Sequence, residues 1–289
     1  MCGIVGLFLK NSAWRPQLGA HLAAMLGTMR DRGPDSAGFA VFGAAGEDIK
    51  LTIRGPGDLA AVAHALGVVA EIHATHAVLH VKPERLEDIR ARLAGMKEIS
   101  IVSEGCSMEL FKEVGAPERV AARFGLPDMQ GSHGIGHTRM ATESAVTTDG
   151  AHPYSTGRDQ CLVHNGSLSN HNALRRKLVR EGFVFETEND TEVAAAYLSW
   201  RMRECDGLEA ALTAGLRDLD GFYTFVVGTR TGFAVLRDPI CCKPAVMAET
   251  PDWVAFGSEY RALVDLPGIG DARVWEPKPA RVYAWEHDP

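Results

Sequence analysis

Concentrated positive charge is missing from this chain. Its 289 residues carry a formal net charge of -7 at pH 7, and no run of more than three consecutive Lys or Arg residues interrupts the mixture of signs. Proteins that bind nucleic acids or anionic membrane surfaces depend on such runs. We therefore expect neither as the main partner.

Long hydrophobic runs are missing as well. The apolar stretch at residues 4–9 is much shorter than the roughly 20 residues that span a bilayer. No positively charged segment precedes it, as a signal peptide would require. We expect a globular protein that stays in the cytoplasm.

Cysteines are few and lack the spacing of a metal site or of a disulfide framework. None of the six belongs to a Cys-x-x-Cys pair, which fits reduced thiols in a cytoplasm. A Gly-rich phosphate cradle and a nucleotide motif are also missing, so no cofactor is expected in this chain. The six cysteines are Cys2, Cys106, Cys161, Cys205, Cys241 and Cys242.

One of these cysteines follows the initiator methionine directly and opens the apolar run. The run shows no helical period, which predicts a strand buried on both faces. A small second residue normally allows Met1 to be removed, and Cys2 then presents a thiol beside a free α-amine. Because an α-amine has a pKa of about 8, it can act as the general base for its own thiol.

The first half of the chain predicts a helix over residues 18–29 and strands at 38–42 and 48–54, joined by a Gly-rich turn. From 57 to 130 the order is β-α-β-α. This order predicts a small inserted α/β module with its own sheet, within one domain that covers residues 1–289.

The second half begins with predicted strands at 134–142 and 161–164, and it continues with helices from about 170 to 219. Asn189 and Glu192 have the spacing of a capping box at the start of one helix. Helices between two groups of strands predict sheets packed face to face with helices outside. The later strands are expected at 222–227, 232–236, 253–257 and 281–285.

Polar residues at the ends of these elements are candidates for chemistry. Asn165-Gly166 is either a hairpin turn or an oxyanion hole made by an amide and a backbone N–H. Arg139 lies among small and apolar residues, so it either binds a substrate carboxylate or pairs with Glu143 or Asp149. With Asn189 as the cap, Asp190 is left to bind an ammonium group.

Six motifs occur in the order found in class II glutamine amidotransferases, which the chain resembles over residues 1–56 and 131–289. That family consists of N-terminal-nucleophile enzymes with an α+β fold, an αββα sandwich of two antiparallel sheets between helical layers. Met140 departs from the aromatic residue that is common after the motif arginine. The motifs are Cys2-Gly3-Ile4-Val5-Gly6, Arg32-Gly33-Pro34-Asp35, Gly136-His137-Thr138-Arg139, His152-Pro153, His164-Asn165-Gly166 and Asn189-Asp190-Thr191-Glu192.

The resemblance implies a role for each matching residue. Cys2 would be the nucleophile, and Asn165 and Gly166 the oxyanion hole. Arg139 would bind the carboxylate of L-glutamine and Asp190 its ammonium, while Arg32 would order the N-terminus and the lid over the substrate. His152 and Thr142 complete the implied substrate-binding set.

The chain also resembles the amidotransferase-like subunit of N-methylglutamate synthase and related glutamate-synthase-like complexes. That resemblance implies two partners, an FMN-binding glutamate-synthase-like subunit and a glutamate-synthase C-terminal-like subunit. Since no acceptor site is recognisable in this chain, the ammonia would pass to a partner. We expect module 57–130 to contact such a subunit.

Three other interpretations stay open on the sequence. The chain could be a catalytically silent amidotransferase-like assembly subunit, above all if Met1 is retained. It could be an N-terminal-cysteine amide hydrolase of the acylase kind, although Arg139 and Asp190 argue against this. Finally, His73, His76 and His80 would lie together if they were helical, which suggests a metal site.

Overall fold

A computed structural model describes residues 2–141 and 145–287. Within them the chain forms three antiparallel sheets and a set of helices, several of which cover the sheets from outside. Thr142 and Glu143 lie outside the described residues, together with the expectations attached to them. The α-helices are α1 Leu18–Gly27, α2 Leu59–Leu66, α3 Leu86–Ala94, α4 Pro117–Arg123, α5 His171–Arg180, α6 Asp190–Glu204 and α7 Leu208–Asp218.

Two large sheets form the body of the molecule. The first contains β1 Gly3–Leu9, β2 Ser36–Phe42, β7 Met108–Val114, β8 His133–Arg139, β13 Val246–Glu249, β14 Trp253–Gly257 and β15 Arg273–Trp275, in the order β15-β13-β14-β1-β8-β2-β7. The second contains β9 Tyr154–Gly157, β10 Gln160–Leu168, β11 Gly221–Thr229, β12 Gly232–Arg237 and β16 Val282–Glu286, in the order β16-β12-β11-β10-β9. Strands were expected at 222–227, 232–236, 253–257 and 281–285, and all four are present.

The central strand β1 is buried on both faces, as its unbroken apolar sequence predicts. Ile4 and Phe8 point into the core between the two large sheets, whereas Val5 and Leu7 pack in the core that contains α1. Gly6 lies so close to the opposite sheet that an added Cβ would be 2.6 Å from the Phe233 ring. Close contact between the sheets therefore requires glycine here.

Helices cover both outer faces. Leu22 and Leu26 of α1 pack on the outside of the first sheet. Residues of α5, α6 and α7, among them Leu178 and Tyr197, pack on the second sheet. The layers are therefore helix, sheet, sheet and helix, which confirms the expected αββα sandwich.

The third sheet is smaller and has the order β4-β5-β3-β6, with β3 Ile49–Arg54, β4 Val69–His73, β5 His76–Val81 and β6 Ser100–Gly105. Helices α2 and α3 cover one of its faces. The expectation of a sheet separate from the main body agrees with this topology. Its extent differs from residues 57–130, because β3 precedes that range and β7 pairs with β2 in the large sheet.

The Gly-rich segment between the strands at 38–42 and 48–54 was expected to be a turn, and the sheet topology corrects this expectation. The two strands follow each other in sequence but belong to different sheets, so the Gly-rich segment between them is a crossover. Strand β7 returns to the large sheet because Leu110 faces the core between the large sheets and Phe111 faces the α1 side.

Candidate active site

The backbone of Cys2 lies at the start of β1 and is held by two side chains from distant parts of the chain. Its carbonyl oxygen accepts a hydrogen bond from Arg32 Nε at 3.0 Å and another from Asn165 Nδ2 at 3.1 Å. The next residues are fixed by Ser258, whose Oγ accepts from Ile4 N–H at 2.9 Å and whose N–H donates to Ile4 O at 2.9 Å. The position of Cys2 is thus set by both large sheets and by the segment after β14.

Arg32 is almost fully buried beside the N-terminal strand. Its Nη1 forms an ion pair with Glu259 at 2.6 Å, and its side chain is only 10% exposed. Its Nη2 is buried without a hydrogen-bond partner among the described residues. The expectation that Arg32 folds over the N-terminus agrees with these contacts. Glu259 was not among the residues singled out from the sequence, because it lies 227 positions from Arg32 along the chain.

Asn165 and Gly166 lie inside strand β10, which continues to Leu168. They pair with Thr224 and Tyr223 of β11, so the alternative of a hairpin turn at this position is wrong. Gly166 has a φ of +148°, and an added Cβ would lie 1.9 Å from the Phe222 carbonyl oxygen. Only glycine fits this backbone next to the Asn165 amide.

Arg139 ends β8, the strand next to β1, where Gly3 pairs with Thr138. The residue is 7% exposed, and its Nη1 donates to Ala145 O at 3.3 Å. One carboxylate considered as its partner, Asp149, forms an ion pair with Arg54. The guanidinium is therefore desolvated at the end of a strand that adjoins the Cys2 strand.

Asp190 begins α6, and Asn189 caps this helix by accepting a hydrogen bond from Thr191 N–H at 2.9 Å. The capping box expected with Glu192 is wrong, because the Glu192 carboxylate binds the N–H groups of Glu186 and Thr187 instead.

The Asp190 carboxylate is oriented by the strand that carries Asn165. Oδ2 accepts from Leu168 N–H at 2.9 Å, and Oδ1 lies 3.7 Å from His164 Nδ1. Burial favours the protonated acid, but the His164 ring and the Leu168 N–H outweigh this effect and lower the pKa of Asp190 to about 2. Asp190 is therefore an anion at neutral pH, as the binding of an ammonium group would require.

Buried histidines form the wall behind these residues. The ring centroids of His137 and His152 are 4.1 Å apart, and His137 Nε2 donates to His164 O at 3.1 Å. Burial lowers the pKa of His137 to about 3 and also lowers the pKa of His152, so both rings are neutral at pH 7. His152 precedes a cis peptide bond to Pro153 and lies in this wall.

The structure thus brings Arg32 and Asn165 into direct contact with Cys2, and it joins Asp190, at the start of α6, by a hydrogen bond to Leu168, two residues after Gly166 on β10. Arg139 is on the strand beside Cys2, and Thr142 is outside the described residues. The contribution of Ser258 and His164 could not be read from the sequence, since their contacts join residues far apart along the chain.

The helical arrangement assumed for a histidine metal site is wrong. His73 ends β4, whereas His76 and His80 lie on β5, the next strand of a hairpin. The His76 ring is buried against Phe111 and Phe124. Within residues 2–141 and 145–287 there is no group of three or more His, Cys, Asp or Glu side chains suited to a metal ion. No helix in these ranges is long and apolar enough to cross a membrane.

Comparison with solved structures places the fold. The chain aligns over 99% of its length with the glutamine phosphoribosylpyrophosphate amidotransferase from B. subtilis, with a TM-score of 0.62 and 20% identity. It aligns equally far with a structure of the allosteric regulatory enzyme of purine biosynthesis, with a TM-score of 0.65 and 20% identity. It spans 47% of each of those chains. The fold is the α+β sandwich of the N-terminal-nucleophile hydrolases.

Comparison of sequences gives the family. A model described as "Glutamine amidotransferase domain" matches residues 137–265. The chain is 61% identical to the glutamine amidotransferase-like protein GlxB of Rhizobium meliloti, with 99% of both chains covered. It is 31% identical to glutamine--fructose-6-phosphate aminotransferase of Vibrio vulnificus over 56% of this chain and 26% of that enzyme. The chain belongs to the class II glutamine amidotransferase family.

Proposed function

We propose that this chain hydrolyses the side-chain amide of L-glutamine through a γ-glutamyl thioester on Cys2 and supplies the ammonia to a separate synthase subunit. One observation carries the proposal: the residue that would be the nucleophile is held at the start of β1 by Arg32 and Asn165. Family membership supports glutamine as the substrate.

The chemistry follows from the groups at Cys2. The α-amine takes the thiol proton, and the sulfur attacks the amide carbon of glutamine. The Asn165 amide and the Gly166 N–H receive the oxyanion, and the protonated amine donates its proton to the leaving ammonia. Water, activated by the same amine, then hydrolyses the thioester and releases glutamate.

The two charged residues would hold the amino-acid head group. Arg139 can form two parallel hydrogen bonds with the glutamine carboxylate, and its burial strengthens this pairing. Asp190 is ionised and already oriented by Leu168, so it offers a fixed counter-charge to the ammonium. Arg32, His152 and Thr142 complete the proposed substrate-binding set.

The direct test is replacement of Cys2. We expect Cys2→Ala and Cys2→Ser to abolish glutamine hydrolysis without loss of folding, and Cys242→Ser, at an exposed thiol, to leave it unchanged. Intact-mass analysis of the parent protein reports whether Met1 is removed, as the mechanism requires. A protein that retains Met1, or a Cys2→Ala variant that hydrolyses glutamine normally with partner subunits present, contradicts this mechanism. The first result would favour the silent assembly subunit.

The acceptor of the ammonia is proposed to be a glutamate-synthase-like complex of the N-methylglutamate synthase kind, in which FMN is bound by a partner subunit. The small sheet is the proposed contact surface. Among the described strands, its edge strand β4 pairs only with β5, and it exposes Val69 and Ile72, which are 73% and 47% accessible. Exposed apolar edges of this kind favour protein contacts.

Copurification tests this surface. Val69→Lys combined with Ile72→Glu should leave the chain folded but prevent it from copurifying with the FMN-binding and glutamate-synthase C-terminal-like subunits. Val179→Lys is the matched control, because Val179 is 54% exposed on α5 and far from the small sheet in sequence. Normal copurification of the double variant would exclude the β4 edge as the contact.

A further inference from the structure

A cleft separate from the Cys2 site lies where the small sheet meets the two large ones. Its volume is about 300 Å³, and it is bounded by β6, β7, β9 and the segment that leads into α6. Among the described residues of the proposed glutamine site, Cys2, Arg139 and Asp190 do not line it, and neither do Arg32, His152, Asn165 and Gly166. The residues that define its chemistry are Lys112, Asp149, Tyr154, Glu186, Glu192 and Arg203.

Lys112 forms the buried wall of the cleft. It is 7% exposed, and its Nζ donates hydrogen bonds to Asp149 O at 3.2 Å and to Ala151 O at 2.9 Å. The ammonium also lies 4.3 Å from the centre of the Tyr154 ring. Burial lowers the pKa of Lys112 to about 8, against the opposing charges of Asp149, Glu192 and Glu186. None of these carboxylates forms an ion pair with it among the described residues. A buried ammonium without an ion-pair partner is costly to desolvate unless an anion joins it.

Glu186 lies at the open mouth of the same cleft. Its carboxylate makes no hydrogen bond or ion pair within the described residues, whereas the other two carboxylates of the cleft are occupied. Glu192 accepts from two backbone N–H groups, and Asp149 pairs with Arg54. Burial, followed by the charges of Glu192 and Asp149, raises the pKa of Glu186, so a cation is favoured beside it.

We propose that this cleft binds a small zwitterion, an amino acid whose carboxylate pairs with Lys112 and whose ammonium pairs with Glu186. A simple anion would satisfy Lys112 but meet the surrounding carboxylates, and a simple cation would meet Lys112 itself. The volume is at the lower end of the range for small-molecule sites, which fits a ligand of this size.

The position of the cleft also couples it to the proposed glutamine site. Lys112 holds the backbone of Asp149 and Ala151, and a Cβ added to Gly150 between them would be 3.1 Å from Arg139 Nη1. The opposite wall, Glu186 and Thr187, leads within three residues to Asp190. If the proposed function holds, a ligand in the cleft therefore changes the KM for glutamine.

Binding can be measured without any glutaminase assay. Isothermal titration of the full chain with 4-aminobutyrate, butyrate and butylamine compares a zwitterion with its two singly charged counterparts. We expect 4-aminobutyrate to bind at least about tenfold more tightly than either, a difference of about 1.4 kcal/mol. Lys112→Met and Glu186→Gln should each remove this preference. Lys177→Met and Glu181→Gln, at exposed positions on or next to α5, are the matched controls.

The outcomes separate this site from the proposed function. Absence of binding by 4-aminobutyrate, equal binding of butyrate, or unchanged binding in Glu186→Gln would overturn the proposal. The Glu186 variant keeps the test valid if Lys112→Met fails to fold, because Glu186 is at the surface. If the chain binds the zwitterion but lacks glutaminase activity, the proposal of a zwitterion site in the cleft is supported. Only the enzymatic proposal is then contradicted.

Discussion

The Asn165 side-chain amide donates a hydrogen bond to the Cys2 carbonyl oxygen across 3.1 Å. This bond joins β10 of one large sheet to the first residue before β1 of the other. Because both strands are buried in the sandwich, the amide can move little relative to Cys2. An oxyanion donor gains its effect from such fixed placement, since no reorganisation is needed during the reaction.

Asn165→Ala should therefore lower kcat for glutamine hydrolysis by about 100- to 1,000-fold, the usual effect of losing one oxyanion donor. The KM should change little, because the amide acts on charge that develops after binding. Steady-state kinetics check this, with Asn172→Ala on the exposed side of α5 as the control. A kcat within about threefold of the parent would assign Asn165 a structural role only.

Arg139→Lys should raise the KM for glutamine by about 10- to 100-fold and lower kcat much less. A guanidinium binds a carboxylate through two parallel hydrogen bonds, which a lysine ammonium cannot reproduce. The exposed Arg176→Lys serves as the control. Equal KM values for Arg139→Lys and the parent would show that Arg139 is only a partner in internal contacts.

Asp159→Asn should lower the free energy of unfolding by about 2–3 kcal/mol, because hydrogen bonds to a buried charged group are among the strongest. The Asp159 carboxylate accepts from Cys106 N, Ser107 N and Oγ, and Met108 N, at 2.8 to 2.9 Å. Asparagine tolerates the positive φ of this position, so the change tests the charge and not the backbone.

Urea unfolding of Asp159→Asn should be compared with that of Asp88→Asn, which alters an exposed residue of α3. Glutaminase activity of the folded Asp159 variant is expected to stay normal, since Asn165 is six residues along an extended strand, roughly 20 Å away. Equal unfolding midpoints for both variants would contradict the stabilising role.

The buried histidines make the protein less stable as the pH falls below about 6.5. Burial lowers the pKa of His76, His133 and His137 to about 3 in the folded chain. The unfolded chain takes up these protons near pH 6.5, whereas the folded chain does not. A fall in pH therefore stabilises the unfolded state relative to the folded state. Each such group removes up to about 1.4 kcal/mol per pH unit between its two pKa values.

Chemical unfolding between about pH 7 and pH 5 measures this slope. His133→Gln should reduce the slope of unfolding free energy against pH by the contribution of close to one proton. The reason is that His133 is fully buried between Ser132 and the Thr229 carbonyl. His64→Gln, at an exposed position on α2, should leave it unchanged. An identical slope in both variants would show that His133 does not contribute.

Local patterns in the sequence were enough to predict β1, α1 and the Asn189 cap. Each depends on residues within a few positions of one another, such as the apolar run after Cys2. The αββα layers followed from the order of these elements and from the family resemblance.

Long-range pairing could not be predicted in the same way. The pattern of apolar and polar residues in β7 is compatible with either sheet. Only its pairing with β2, about 70 residues earlier, determines that it belongs to the large sheet. Glu192 has the spacing of a capping residue, yet the loop at Glu186 and Thr187 competes successfully for its carboxylate. The hydrogen bond from Ile4 N–H to Ser258 Oγ joins residues that are 254 positions apart along the chain.

The connection from β6 to β7 has a mechanical consequence. It consists of Cys106 and Ser107 alone, and the Asp159 carboxylate fastens both backbone amides. A joint with so little slack cannot act as a hinge. A mechanical load applied to the exposed edge strand β4 would therefore be transmitted as shear from β7 to β2 and then to β8. Strand β8 is the neighbour of β1, which begins directly after Cys2.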